Sequence, residues 1–261
     1  MLLKRSFHSC IKRYFDCVIA FFALILLAPL FATVALAIAM ESPGPIFFWQ
    51  WRIGLSGRQF RIFKFRTMLQ KQSTACNITV ATDSRITRVG DFLRKSKIDE
   101  LPQLINILLG EMSFVGPRPE VPEFANKYKE RDRQLVFSVL PGVTDFASIR
   151  FRNENELLAR QMDPLSYYEQ VVMPMKLRYY RFYIARASLR LDIYIMALTV
   201  RCLIRDIVAH YSRKNHPASS AICSCGDDTP SKHEDKGSTD LEAGIFRAVQ
   251  RCLFRQRSKT G

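Results

Sequence analysis

A predominantly apolar run from Val18 to Met40, with a proline near its middle, constrains this chain more than any other feature. About 20 apolar residues cover the ~30 Å hydrocarbon core of a bilayer, so the run predicts a membrane helix. Pro29 removes a backbone donor and crowds the preceding turn, which kinks or breaks a helix. If the helix breaks there, the arms Phe15–Ala28 and Leu30–Met40 are each only ~15–20 Å long, and neither crosses the core.

Basic residues on both sides of this run bear on its topology. They are Lys4, Arg5, Lys12 and Arg13 before it, and Arg52, Arg58, Arg61, Lys64 and Arg66 after it. A spanning helix carries its Lys and Arg mainly on one side. The pattern therefore favours a re-entrant helix that returns to the face from which it entered. A kinked helix that crosses once is the alternative, and the residues leave both open.

Composition narrows the class of partner. The net charge of +15 favours polyanions, and beside a membrane segment these are anionic lipids and phosphorylated substrates rather than nucleic acid. Seven scattered cysteines argue against a disulfide framework and for a reducing compartment. We predict a membrane segment over residues 1–40, a folded domain over 41–211 and a disordered basic tail over 212–261.

Local patterns predict a mostly helical α/β domain. Ile46–Ile53 and Gln59–Arg66 flank Gly54–Gly57 as a β-hairpin, in which adjacent apolar Ile62 and Phe63 suggest a bulge. Gln70–Thr82 is predicted to be a loop, and Val115–Pro119 irregular. The expected helices are Asp91–Lys97 with Phe92 and Leu93 inward, Leu101–Leu109 ending at Gly110, Glu123–Val139, Asn153–Gln161, Pro164–Ile184, Leu189–Val208 and, in the tail, Leu241–Phe254. Leu189–Val208 either lies on the membrane surface as an amphipathic helix or packs on the domain.

Two adjacent acids, Asp99 and Glu100, stand at a predicted helix start, with Pro102 in its first turn. One interpretation is helix capping, because carboxylates stabilise the positive end of a helix. The other is chemistry, because both acids can reach one divalent ion or phosphoryl group. A carboxylate that attacks phosphorus forms an acyl phosphate.

Phosphoryl chemistry also requires cations to neutralise the transferring oxygens. Candidates near the acids are Arg94, Arg118 between two prolines, and the Lys64/Arg66 pair at the end of the hairpin. The sequence contains no phosphate loop, dinucleotide fingerprint or serine-hydrolase elbow. The four histidines lie outside the predicted core, so carboxylates and basic groups are the remaining catalysts.

These motifs together resemble the bacterial sugar transferases, the small monotopic polyprenyl-phosphate phosphoglycosyl transferases. The resemblance runs from about Lys12 to Ile204. It comprises Lys12-Arg13 with Asp16, Ser42-Pro-Gly-Pro45, Lys64-Phe-Arg-Thr-Met68, Asp83-Ser-Arg-Ile-Thr-Arg-Val-Gly90, Asp99-Glu-Leu-Pro-Gln-Leu104, Val115-Gly-Pro-Arg-Pro-Glu120, Pro141-Gly-Val-Thr144 and Arg152-Asn153.

The resemblance implies a specific reaction. Such enzymes move a phosphosugar from a UDP-sugar to polyprenyl phosphate, such as undecaprenyl phosphate, with release of UMP, and so begin a glycan at the cytoplasmic face of the bacterial inner membrane. The position matching Asp99 is the nucleophile, and Glu100 completes an acidic dyad with Mg²⁺. The remaining matched positions are implied to lie near phosphate or nucleotide: Lys64, Arg66, Arg94, Arg118, Glu120 and Arg152.

The chain departs from the resemblance at a few places. A serine that precedes the membrane-helix proline in the family is replaced by Ala28, so its hydroxyl is missing beside the break at Pro29. Lys97 stands where serine is common, and Asp145-Phe146 where Gly-Trp is common. A homodimer and contacts with membrane lipids are further expectations. The rival hypotheses are a basic membrane-surface or nucleic-acid-binding module without catalysis, a catalytically inactive scaffold, and a phosphohydrolase.

Overall fold

The apolar run lies within one long helix, α1 (Leu2–Glu41). The structure, a computed structural model, describes residues 2–69 and 85–215. Over Cys10–Glu41, α1 is long and apolar enough to cross a membrane, and only 11% of its most apolar window is buried, unlike a core helix. The exposed side chains include Phe22, Ile25 and Leu26. The helix therefore presents apolar surface that the domain does not cover.

Pro29 lies inside α1 rather than at an end of it. The predicted break into two separate arms is therefore wrong at the level of secondary structure. The reason is that Leu27, Leu30 and Phe31, on both sides of the proline, pack against the same domain. This packing offsets the single backbone hydrogen bond that proline removes. Thr33 Oγ1 donates to the carbonyl of Pro29 at 2.9 Å, so a hydroxyl does bond beside the proline, although Ala28 offers none.

The predominantly helical prediction is confirmed for the rest of the described chain. The elements after α1 are β1 (Phe47–Ile53), β2 (Gln59–Phe65), α2 (Arg88–Ser96), α3 (Gln103–Leu109), β3 (Ser113–Val115), α4 (Pro122–Ala125), α5 (Glu130–Val136), β4 (Gly142–Thr144), α6 (Phe146–Arg150), α7 (Glu154–Ala159), α8 (Pro164–Tyr167), α9 (Met173–Arg186) and α10 (Leu189–Asn215). A π-helical turn, Tyr168–Val172, joins α8 to α9 just before Pro174, which cannot donate to a regular helix. The compact unit that contains the candidate site ends at Thr199.

The predicted β-hairpin is confirmed. Strands β1 and β2 pair antiparallel in an unbroken register from Phe47↔Phe65 to Ile53↔Gln59. The predicted bulge is wrong, because Ile62 and Phe63 point to opposite faces as successive strand residues do. Ile62 is buried against the domain, whereas Phe63 is only partly covered.

Several helix predictions need correction. In α2 only Leu93 is buried, and Phe92 is 62% exposed. The predicted helix Glu123–Val139 is divided into α4 and α5, because the chain turns Tyr128 inward and becomes extended at Lys129. The C-terminal prediction for α3 is confirmed, since Gly110 caps it in the left-handed conformation (φ 88°).

Two apolar clusters join α1 to the domain. Ala20 and its neighbours pack with Phe60, Ile62 and Ile107, which belong to β2 and α3. Farther along α1, Val34 and Ile38 pack with Phe65 and Leu93, which belong to β2 and α2. One side of α1 therefore contacts the domain along much of the apolar run.

Helix α10 continues to Asn215, beyond the predicted domain boundary at residue 211. The predicted loop Gln70–Thr82 and the predicted tail helix Leu241–Phe254 lie outside the described residues.

Candidate functional site

Asp99 lies in a short 3-10 turn, Ile98–Glu100, between α2 and α3. The turn begins after Lys97, which ends α2 in the left-handed conformation (φ 59°) that a side chain rarely adopts. Asp99 makes no side-chain cap on α3, whose own cap position is Pro102. The capping interpretation of the acid pair is therefore wrong for Asp99.

Glu100 is held by two cations from separate parts of the chain. Lys64 Nζ on β2 donates to Glu100 Oε1 at 2.7 Å. Arg118, on the loop after β3, donates from Nη1 to Oε2 at 3.2 Å and from Nη2 to Oε1. Both carboxylate oxygens thus accept from a cation. The sequence-predicted residues Lys64, Asp99, Glu100 and Arg118 meet in one place.

The electrostatics of this cluster follow from burial and mutual charge. Burial alone would raise the pKa of Glu100, but Arg118 and Lys64 outweigh it and hold that pKa well below its usual range. Glu100 in turn raises the pKa of Arg118. Burial lowers the pKa of Lys64 against the opposing effect of Glu100. Glu100 therefore stays ionised as the counter-ion of two cations.

Asp99 is in a different state from its neighbour. Its side chain is buried (8% exposed), and no described residue donates a hydrogen bond to Oδ1. Burial and, second, the charge of Glu100 raise the pKa of Asp99, while Lys64, Lys97 and Arg94 oppose the rise. The site thus combines one neutralised carboxylate with one destabilised carboxylate, and an incoming group can relieve the latter.

A tight backbone crossing positions Arg118. Strands β3 and β4 pair in parallel, with Ser113 opposite Gly142 and Val115 opposite Thr144. A Cβ on Gly142 would lie 2.1 Å from the backbone nitrogen of Gly116, so the crossing admits only glycine. The chain leaves this crossing through Pro117 and Pro119, which restrict the backbone on either side of Arg118.

Arg52, at the end of β1, braces the same loop. Its Nη1 donates to the Pro119 carbonyl at 3.2 Å and lies 4.0 Å from Glu120 Oε1. Ile53 N also donates to the Glu120 carbonyl at 2.9 Å. Burial lowers the pKa of Arg52 in spite of the opposing Glu120 charge. The loop carrying Arg118 is therefore tied to the hairpin that carries Lys64.

The other predicted phosphate-binding residues are placed differently. Arg66 is buried, and its guanidinium donates to the backbone of Ser42 and Pro43, so its geometry gives no support to a phosphate contact. Arg94 Nε donates to Thr67 Oγ1 at 2.9 Å. Arg152 is half-buried between α6 and α7. None of these three donates to either acid in the bonds described above.

Glu120 belongs to a second buried cluster. Its Oε2 accepts from the Tyr168 hydroxyl at 2.8 Å and from the Tyr128 hydroxyl at 3.4 Å. Asp145, which replaces a common glycine, caps α6 by accepting from Ser148 N at 2.9 Å. Both carboxylates have local structural partners, so their geometry does not support direct contact with a substrate.

Magnesium was predicted to bind Asp99 and Glu100. Asp99 fits, because its buried Oδ1 lacks a donor and Mg²⁺ prefers hard oxygen ligands. Glu100 fits less well, because both of its oxygens already accept from cations. Within residues 2–69 and 85–215, no group of three or more acidic, His or Cys side chains is placed to hold a metal. Such a site would depend on substrate oxygens for most of its ligands.

Comparison with known proteins gives this cluster a context. The bacterial sugar transferase family matches residues 7–206, which include every residue of the cluster. The chain belongs to this family. The sugar transferase is 41% identical over 201 residues to the UDP-glucose:undecaprenyl-phosphate glucose-1-phosphate transferase of Xanthomonas campestris pv. campestris, across 75% of this chain and 39% of that protein.

Two further relatives show the range of the family. A UDP-glucose:undecaprenyl-phosphate glucose-1-phosphate transferase of Escherichia coli (strain K12) is 37% identical over 198 residues, across 74% of this chain and 40% of that protein. The uncharacterized sugar transferase EpsL of Bacillus subtilis (strain 168) is 31% identical over 217 residues, across 83% and 98%. The sugar transferase thus spans less than half of the larger relatives and nearly the length of EpsL.

Sequence reasoning about this sugar transferase missed two features of the site. Arg52 was counted only as a flanking charge, and its contact with the Pro119 carbonyl is long-range, so no local pattern announces it. The Gly116–Gly142 crossing was also missed. Its only signal is that each glycine adjoins a proline in a short apolar segment.

Proposed function

We propose that this protein transfers a phosphosugar from a UDP-sugar to a polyprenyl phosphate such as undecaprenyl phosphate, releasing UMP. The observation that carries the proposal is the state of the acid pair. Asp99 has a buried oxygen without a donor, while Glu100 beside it is neutralised by Lys64 and Arg118. The names of the larger relatives, which specify UDP-glucose and undecaprenyl phosphate, support this substrate class.

In the first step, an Asp99 carboxylate oxygen attacks the β-phosphorus of the UDP-sugar. A bond forms between that oxygen and phosphorus, the bond to the bridging oxygen breaks, and its electron pair leaves with UMP. Asp99 suits this role because burial and the adjacent Glu100 destabilise its charge, which bond formation then disperses. Arg118 and Lys64 lie beside the attacking group and supply positive charge for the phosphoryl oxygens.

In the second step, an oxygen of polyprenyl phosphate attacks the phosphosugar carried by Asp99. The new phosphorus–oxygen bond forms as the bond to Asp99 breaks, and the carboxylate is regenerated. When bound, Mg²⁺ supplies further charge neutralisation at the phosphate oxygens. Asp99 is the protein ligand with the better fit, and the retained Glu100 contacts hold Lys64 and Arg118 in position.

We also propose that the protein attaches to the cytoplasmic face of the bacterial inner membrane without crossing it. Contacts at both ends of α1 support this topology. Lys12 Nζ donates to Asp192 Oδ2 at 2.7 Å, and Glu41 Oε1 accepts from Arg88 N at 2.7 Å. A single domain that contacts both flanks of the apolar run is expected to lie with both flanks on one side of a bilayer.

The covalent step is tested with purified protein and a UDP-sugar labelled in its β-phosphate, without a lipid acceptor. We expect UMP release limited to about one per enzyme, and an intact-protein mass increase equal to one phosphosugar. Asp99→Asn should give neither signal, whereas Asp91→Asn, which changes an exposed carboxylate on α2, should give both. A full rate in Asp99→Asn would overturn the proposal.

The rival scaffold hypothesis makes the opposite prediction. A non-catalytic protein binds anionic membranes and releases no UMP from any nucleotide sugar. A phosphohydrolase would release UMP continuously without an acceptor and give a water-soluble sugar phosphate. Product partitioning into organic solvent after polyprenyl phosphate is added distinguishes the transferase from both.

A further inference from the structure

The outer face of the hairpin is apolar where a two-stranded sheet is expected to be polar. Side chains alternate along each strand, so Phe47, Trp49 and Trp51 of β1 share one face with Arg61 and Phe63 of β2. We call these five residues the aromatic face. Phe47, Trp49 and Trp51 are 41%, 48% and 42% exposed, which is far too much for core residues.

The aromatic face has a defined internal arrangement. The guanidinium carbon of Arg61 lies 4.6 Å from the ring centre of Trp49 and 4.9 Å from that of Trp51. The two indoles meet edge to face at 6.1 Å. Cation–π contacts of this kind fix both rings and keep a positive charge at the surface. The face is therefore an ordered amphipathic patch.

Charge around the aromatic face is of one sign. Between Ser42 and Leu69 the sequence contains no acidic residue. The cations in this stretch are Arg52, Arg58, Arg61, Lys64 and Arg66, of which Arg58 and Arg61 are exposed. Such a surface is complementary to a polyanionic layer, and aromatic side chains with basic neighbours are typical of the lipid headgroup region.

The aromatic face also continues into the apolar helix. Phe47 stacks on Phe65 with ring centres 5.4 Å apart, and Phe65 meets Phe31 of α1 edge-on at 5.1 Å. Phe31 lies near the middle of the apolar run, two residues after Pro29. The hairpin is thus joined by ring contacts to the helix with the largest exposed apolar surface in the described residues.

We propose that the aromatic face is a second membrane-docking surface, which inserts Trp49 and Trp51 into the headgroup layer of an anionic bilayer. This inference rests on the proposed membrane attachment through α1. Docking both α1 and the hairpin limits rotation of the domain about the helix. It thereby fixes Lys64, on the inner face of β2, at a constant height above the membrane.

The sequence provides its own reporter for this surface. The protein contains two tryptophans, and both belong to the aromatic face. The full chain is reconstituted in vesicles that contain anionic lipid and is recovered by flotation, which tests attachment through α1 separately. Tryptophan emission of the floated protein is then compared in ordinary lipid and in lipid brominated on its acyl chains.

Two single-tryptophan references calibrate the measurement in a Trp49→Phe/Trp51→Phe background. Leu26→Trp places the indole on the exposed side of α1, where the original side chain is 78% exposed. Met162→Trp places it on a polar loop where the side chain is fully exposed. Brominated lipid should quench the first strongly and the second little. The wild-type protein needs no substitution, so a folding defect in a reference does not prevent the test.

We expect brominated lipid to quench wild-type emission, with a blue shift of the emission maximum when protein enters vesicles from detergent. Trp49→Phe and Trp51→Phe should each retain the quenching, because each leaves one indole on the face. Protein that floats but keeps unquenched emission, equal to that of Met162→Trp, would overturn the inference. A dimer that buries both indoles away from lipid would give this result and would also overturn it.

Discussion

At the scale of single residues, Asp99 illustrates a conflict between activity and stability. Its carboxylate is buried, and no described residue donates to Oδ1, so the folded state bears an unfavourable charge. We expect Asp99→Asn to reduce turnover by about 1,000-fold or more, since it removes the nucleophile. The same change should stabilise the protein by about 1 kcal/mol, because it removes a poorly compensated charge.

UMP release and thermal unfolding of the same Asp99→Asn preparation check both halves of this prediction. Asp91→Asn is the matched control, because Asp91 is exposed and its ion pair with Lys95 contributes little. Loss of activity together with loss of stability would contradict the assignment, since it would indicate a structural role for Asp99.

Lys97 is the residue through which this chain is expected to tune that nucleophile. Burial raises the pKa of Asp99, and the charge of Lys97 opposes the rise. Asp99 attacks as a carboxylate, so the rate rises with pH through its pKa. Removal of the cation raises that pKa further. We therefore expect Lys97→Asn to move the rising limb of the pH–rate profile to higher pH, and Lys97→Arg to leave it in place.

A third variant separates the charge of Lys97 from its backbone conformation. The positive φ of 59° favours glycine, so Lys97→Gly should stabilise the protein by up to about 1 kcal/mol. Its pH profile should nevertheless match that of Lys97→Asn. Identical profiles for wild type, Asn and Gly variants would show that this cation does not act on Asp99.

At the scale of elements, the β3–β4 crossing determines the position of Arg118. In Gly142→Ala the new methyl would lie 2.1 Å from Gly116 N and 2.5 Å from Gly116 O, so the strands must separate. We expect a loss of about 2 kcal/mol in stability. We also expect lower activity, because the loop that carries Arg118 begins at this crossing.

Gly57→Ala is the control for the Gly142→Ala experiment. Gly57 also has a demanding backbone, with φ of 76°, but a methyl there meets no atom within 4 Å. It should cost about 1 kcal/mol of stability and leave turnover per folded enzyme unchanged. Equal activity losses in the two variants would indicate general destabilisation and would contradict a positioning role for the crossing.

The elements also show what local patterns can and cannot predict. The hairpin was predictable, because alternating aromatic and β-branched residues flank a glycine-bounded turn. The end of α3 at Gly110 was predictable for a similar reason. Strands β3 and β4 were not, because each has three residues and their pairing joins Ser113 to Gly142 across a long separation. Phe92 was misplaced because its exposure depends on which side of α2 meets α1.

The same distinction applies to the candidate site. Asp99, Glu100 and Arg118 were identified from adjacent acids and from an arginine between prolines, and the cluster brings them together with Lys64. Arg66 has the same charge and lies two residues from Lys64, yet its guanidinium binds the Ser42–Pro43 backbone. Charge and proximity in sequence do not specify where a long side chain finds its acceptors.

At the scale of the whole molecule, α1 connects the two segments that build the site. Near its start, Lys12 Nζ donates to the carbonyl of Val115 at 2.7 Å, three residues before Arg118. At its end, the carboxylate of Glu41 accepts from the first backbone donors of α2, the helix that leads to Asp99. A helix immersed in lipid thus contacts both sides of the catalytic cluster.

These two contacts also give a test of membrane topology. Lys12 and Glu41 are ~45 Å apart along a helix at ~1.5 Å per residue, which exceeds the ~30 Å hydrocarbon core. If α1 crossed the bilayer, the domain would need polar contacts on both sides of it. We therefore expect reporters before and after the apolar run to lie on the same side as the domain.

The reporters are single cysteines in an otherwise cysteine-free protein: native Cys10 before the run, Pro45→Cys after it and Met162→Cys on the domain, all at exposed positions. A membrane-impermeant maleimide should label all three in inside-out vesicles and none in right-side-out vesicles. Met162→Cys fixes which side the domain occupies, so the other two are read against it. Labelling of Cys10 and Pro45→Cys from opposite sides would mean that α1 spans, and a domain bound to both ends of α1 would then be impossible.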